Sequence, residues 1–114
     1  MLLEIILFIF LGILFGIITG ILPGIHTNLV AAMLLAISPS LLTHFAPFSL
    51  ACFILTMCTL NIFLDFIPSI YLGCPDENAL SILPGHSLLL KGKAHEAIYC
   101  SCLGALSSIL LILL

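Results

Sequence analysis

Residues 2–28 read LLEIILFIFLGILFGIITGILPGIHTN. A twenty-residue apolar run carries one carboxylate, Glu4, and glycines at 12, 16 and 20, before Pro23-Gly24 interrupts it. A helix of about 20 apolar residues spans the roughly 30 Å hydrocarbon core of a bilayer. Residues four apart share a helix face, so Gly12, Gly16 and Gly20 form a smooth strip that lets another helix come close, and Gly24 continues the spacing. Proline withdraws a backbone donor and glycine permits positive φ, so the helix is predicted to break at Pro23-Gly24.

The rest of the 114 residues agrees with a membrane setting. Hydrophobic residues make up 63% and charged residues 6%, against about a quarter charged in a typical soluble domain. Positions 5–64 hold no Asp, Glu, Lys or Arg. The first run has no basic flank and outlasts a signal-peptide core, so it stays in the bilayer. The expected fold is an all-α polytopic membrane protein of spanning helices plus Pro-Gly-broken or re-entrant ones. Residues 1–114 read as a single transmembrane domain, either the N-terminal piece of something larger or a subunit that must oligomerise.

Beyond the first break, a short apolar piece at 29–37 ends at a turn expected over Ser38-Pro39-Ser40. A loop follows at 44–47, then a long helix over 48–67, ended by Pro68. Asp76-Glu77-Asn78 reads as a helix start, with Asp76 as the N-cap, for a short helix over 79–83. Pro84-Gly85-His86 is expected to break that helix, Lys91-Gly92 to form a helix C-cap, and a last helix to begin near Ala94. Ile21-Leu22-Pro23-Gly24 and Ile82-Leu83-Pro84-Gly85 echo one another, each followed closely by a histidine. Paired Gly/Pro-interrupted segments point to a transporter binding site.

Candidate site residues follow from these exceptions. A half-helix starting at Thr27 or Asn28, either of which could be its N-cap, would turn free N–H groups and a positive dipole end toward an anion. Gly24, His26, Thr27, Asn28, Gly85 and His86 are therefore the candidate solute-binding residues. An intramembrane carboxylate faces protein or a watery cavity by default, which makes Asp65 the candidate ion-coupling residue, with Asn61 one turn away as a neutral oxygen partner. The plainer readings are a solvated interfacial Asp65 and simple caps at the breaks.

The five cysteines (52, 58, 74, 100 and 102) lack a Cys-x-x-Cys pair and read as buried free thiols, not disulfides or metal ligands. No catalytic constellation, metal site or cofactor is indicated. Two basic residues leave no footprint for nucleic acid. Those two, Lys91 and Lys93, place the 91–96 loop in the cytoplasm by the positive-inside rule, at the cell membrane.

Gly16-x-x-x-Gly20-x-x-Pro23-Gly24-Ile25 resembles the N-terminal signature of the large membrane subunit of the tripartite tricarboxylate transporters. Residues 67–75, Ile-Pro-Ser-Ile-Tyr-Leu-Gly-Cys-Pro, followed by Lys91-Gly92-Lys93-Ala94-His95-Glu96-Ala97, are similar to that family's second signature. Gly92, Ala94 and Ala97 occupy its last three matching places. Asp76 stands where the family has glycine, and Pro84-Gly85 where it has Asp-Gly, as in a divergent archaeal-type branch. The resemblance implies part of a secondary-transporter permease for a small anionic, carboxylate-like solute. Its partners would be the bilayer and further helices of the same permease or neighbouring subunits. The competing expectation is an accessory or structural membrane subunit, or a truncated remnant.

Overall fold

The computed structural model describes residues 1–72 and 79–114. Among these it is all-helical: α1 Leu2–Ile21, α2 Thr27–Leu41, α3 Pro47–Leu64, α4 Phe66–Leu72, α5 Ala79–Leu90 and α6 Ala94–Leu113. The expected helix start at Asp76-Glu77-Asn78 lies outside the described residues, as does Cys74. Three stretches are long and apolar enough to cross a membrane: Leu2–Ile21, Pro47–Leu72 and Ala94–Leu113. The 15-residue α2, at 1.5 Å per residue, is about 22 Å long, short of the roughly 30 Å needed.

The chain divides into two compact units, residues 1–61 and 62–114. In the first, α1 and α3 meet along the predicted glycine strip. A Cβ built on Gly12 would stand 2.7 Å from the Phe53 carbonyl oxygen, and one on Gly16 would stand 2.9 Å from that of Met57. Phe8, Leu50, Phe53 and the fully buried Met57 form the core, and Val30, Leu34 and Leu41 of α2 pack against it. Phe15 meets Phe53 edge to face at 5.5 Å, and Phe8 meets Phe45 of the α2–α3 loop at 5.1 Å.

In the second unit α4, α5 and α6 gather around Ile70, Ala94 and Ala97, with Phe66, Leu88, Leu89 and Ile98 packed against them. Tyr71 at the end of α4 shares a 3.0 Å hydrogen bond with His95 in the first turn of α6. Lys93 and Glu96 form an exposed ion pair at 3.2 Å.

The prolines correct the sequence reading in three places. Ser38-Pro39-Ser40 is not a turn, because α2 runs through Pro39 to Leu41. A helical residue 39 would donate to the Leu35 carbonyl. Proline cannot, and the Ser38 hydroxyl donates to that same oxygen at 2.7 Å, so the acceptor is not orphaned. Pro68 does not end the long helix; α3 stops earlier, at Leu64, whose carbonyl would otherwise need the donor that Pro68 lacks. Pro68 then sits third in α4, where N–H groups have no intrahelical partner in any case. Pro84-Gly85-His86 is not a break, since α5 continues through it to Leu90.

Two turns are as read. Leu22-Pro23-Gly24-Ile25 closes with the Ile25 N–H donating to the Leu22 carbonyl at 3.3 Å, and Gly24 has φ +97°, the pattern of a type II turn. After α5, Gly92 has φ +74° and donates to Leu89, while Lys93 donates to Leu88. This is a Schellman cap. Cys52, Cys58, Cys100 and Cys102 are free thiols as expected, but they are half-buried or, for Cys100, exposed.

Because Gly16 meets backbone and not a yielding side-chain tip, Gly16→Leu should weaken the first unit by about 1–3 kcal/mol through overpacking. Leu14→Ala, on the exposed side of α1, should change stability by about 0.5 kcal/mol or less. Denaturant titration in detergent micelles reads both, and equal effects would remove the role assigned to the glycine strip.

Candidate functional site

The turn that ends α1 places Gly24, His26, Thr27 and Asn28 together at the start of α2. The helix begins at Thr27, and its N-cap is His26, in extended conformation and without a side-chain capping bond. Neither Thr27 nor Asn28 is thus the cap. Gly24, His26 and Asn28 are exposed and Thr27 half-buried, and a Cβ on Gly24 would meet nothing within 4 Å. The arrangement presents an uncapped helix start, with its positive dipole end, flanked by a hydroxyl and an amide.

Asn61 on α3 is drawn to α1. Its Nδ2 donates to the Thr19 hydroxyl at 3.4 Å, and that hydroxyl donates to the Gly16 carbonyl at 3.3 Å. Thr19 is only 3% exposed. The direction of the chain is fixed by its last acceptor: a carbonyl takes the Thr19 proton, so the hydroxyl oxygen receives from the amide. Asn61 Oδ1 is therefore turned away from this contact, the orientation needed for an oxygen ligand.

Thr19 is the residue that the sequence reading missed. Its position three residues after Gly16, on the face of the glycine strip, was the available signal.

Asp65 is not on the helix that carries Asn61. It occupies the turn between α3 and α4, where its carbonyl accepts from the Ser69 N–H at 3.1 Å and the Ser69 hydroxyl at 2.6 Å. The continuous helix expected over 48–67 is interrupted at this one residue.

Glu4, the one carboxylate of the first apolar run, has a defined partner. Its Oε1 accepts from the Ala46 N–H at 2.8 Å, and the buried Ser49 stands beside the same carboxylate. The acid thus sits at the N-terminal end of α3, where negative charge is favourable.

In the second unit, Gly85 and His86 lie within α5. Gly85 packs against Ile70, whose Cγ1 would be 3.1 Å from an added Cβ. Nδ1 of His86 is enclosed without a hydrogen-bond partner. Among the described residues no group of three or more His, Cys, Asp or Glu side chains gathers to hold a metal.

The Tripartite tricarboxylate transporter TctA family matches residues 6–114, both units included. The chain belongs to the TctA family. It is an integral membrane chain of a transporter family, as the three span-length apolar stretches among the described residues also indicate. An uncharacterized protein of Methanocaldococcus jannaschii is 42% identical over 92 residues, covering 75% of this chain and 22% of the relative. The chain thus spans about a fifth of that curated relative's length. No solved structure matches it.

A double-mutant cycle checks the polar contact between α1 and α3. Thr19→Val and Asn61→Leu should be coupled by about 0.5–1.5 kcal/mol, the range found for interhelical hydrogen bonds in membranes. Additive effects in a detergent unfolding assay would refute the contact.

Proposed function

We propose that this chain forms the N-terminal part of a TctA permease that moves a small, carboxylate-like anion across the cell membrane. The observation carrying this reading is the unwound Leu22–His26 segment between a span-length α1 and an α2 too short to span, in a chain of this family. Irregular backbone at membrane depth is tolerated where it lines a cavity or is buried in protein. The start of α2 supplies what a carboxylate needs there: the Thr27 and Asn28 N–H groups, a positive dipole end, the Thr27 hydroxyl and the Asn28 amide. Gly24 keeps the approach clear of side chain, and His26 borders it.

Asp65 and Asn61 are proposed to serve the coupling cation, the first as a charge and the second as a neutral oxygen. Gly85 and His86 are proposed as solute contacts on separate grounds: the enclosed, unpartnered Nδ1 of His86 suits a hydrogen bond to an incoming group. The chemistry asked of these residues is binding and release, without bond-making. With the 91–96 loop in the cytoplasm, the Tyr71–His95 contact and the Lys93–Glu96 pair lie on that side. The competing reading is an accessory subunit that works only beside a separate permease.

Uptake of labelled di- and tricarboxylates by the complete transporter, with and without sodium, tests the first reading. Asp65→Ala should lower uptake at least about tenfold and abolish its cation dependence, while Asn28→Ala should raise KM by about tenfold, the equivalent of one hydrogen bond of roughly 1.4 kcal/mol. Unchanged uptake and ion dependence in Asp65→Ala would remove its coupling role. Full uptake by a complex lacking this chain would favour the accessory reading.

A further inference from the structure

The second unit has an open groove among α4, α5 and α6. It encloses about 350 Å³, with Ile70 and Gly85 on one side and Ala97, Ser101, Gly104 and Ala105 of α6 on the other. Its walls are mostly apolar. On α6 these small residues fall at intervals of one, three and four, which keeps them near one face. The same kind of strip on α1 is filled, with α3 backbone less than 3 Å from where a Gly12 or Gly16 Cβ would stand. At Gly104 an added Cβ would meet nothing within 4 Å, and only 6% of the α6 span window is buried.

We propose that this groove is the seat of one further transmembrane helix, supplied by the remainder of the permease and presenting bulky apolar side chains to the α6 strip. Small residues gain nothing over leucine against lipid tails; their benefit is close helix approach and van der Waals packing. A second copy of this chain is the weaker fit, because a two-fold interface brings the same patch to itself, and two concave grooves facing each other leave a void. Supply of helices from elsewhere has a direct basis: the aligned part is 22% of the relative, so about four-fifths of that relative lies outside it. The identity of the occupant rests on the permease reading; its presence in the groove does not depend on uptake.

A photoreactive benzophenone side chain placed at Ser101, and separately at Leu106 about 200° round α6 from Gly104, tests this in membranes containing the complete transporter. The expected product from position 101 is a cross-link to a peptide of the permease outside residues 1–114, with at least about fivefold less of it from position 106. Adducts of position 101 to lipid alone, or to a second copy of this chain, would overturn the proposal. So would equal permease cross-linking from both positions. Because cross-linking reads assembly, it can succeed where uptake fails, and so separates this proposal from the assignment of transport.

Discussion

Inside a bilayer a backbone N–H or C=O has no water to turn to, and that constraint decides what each proline does to this chain. Pro23 stands in a turn that closes on itself, with Gly24 taking the positive φ required. Pro39 stays in helix because the neighbouring serine hydroxyl reaches the carbonyl it would have served. Pro68 shifts the break back to Leu64–Asp65 and then occupies a helix start, where a missing donor costs little. Pro84 remains within α5 while Gly85 lets α5 pack against Ile70 of α4. Pro39 and Pro68 thus differ in how the acceptor is dealt with: at the first a hydroxyl replaces the missing donor, and at the second the helix is cut before it is orphaned.

The same lack of solvent changes what brings helices together. Lipid tails are as apolar as leucine, so α1 and α3 are joined by close approach at Gly12 and Gly16 and by polar contact between Thr19 and Asn61. The few charges follow suit. Glu4 meets the Ala46 N–H at the head of α3, and Lys93 pairs with Glu96 at the head of α6. Charge is spent at helix ends, where the backbone itself supplies a complement, and the interiors of the spans are left to glycine, threonine and asparagine.

Much of this was legible in the sequence. Runs of about 20 apolar residues gave α1 and α6 nearly to the residue, and the Pro23-Gly24 and Lys91-Gly92 punctuation gave a turn and a cap, because both depend on local backbone chemistry. Pro39 and Pro84 misled because the rule that proline breaks helices is also local; at Pro39 the remedy is a hydroxyl one residue away. The echo of Ile-Leu-Pro-Gly makes the point: the same four residues unwind at 21–24 and stay helical at 82–85. At the candidate site, the turn and helix start were readable, whereas the glycine strip could point to Thr19 but not to its partner, which lies 42 residues along the chain. Asp65 was expected within a continuous helix and lies instead at its interruption, because Pro68 cannot serve the Leu64 carbonyl.

The two breaks around the candidate residues differ in kind. Between α1 and α2 the chain turns through Pro23-Gly24 with open space around Gly24, and α2 starts without a side-chain cap, the Leu29 N–H turning back to the His26 carbonyl. Between α3 and α4 the break is closed locally, with the Asp65 carbonyl taken by both donors of Ser69. A segment that must exchange one set of hydrogen-bond partners for another can do so at the first break without unmaking a side-chain cap, whereas the second has already satisfied that carbonyl from within. This asymmetry supports the proposal that the anion sits at the start of α2 and that Asp65, its backbone carbonyl already occupied, acts through its charge.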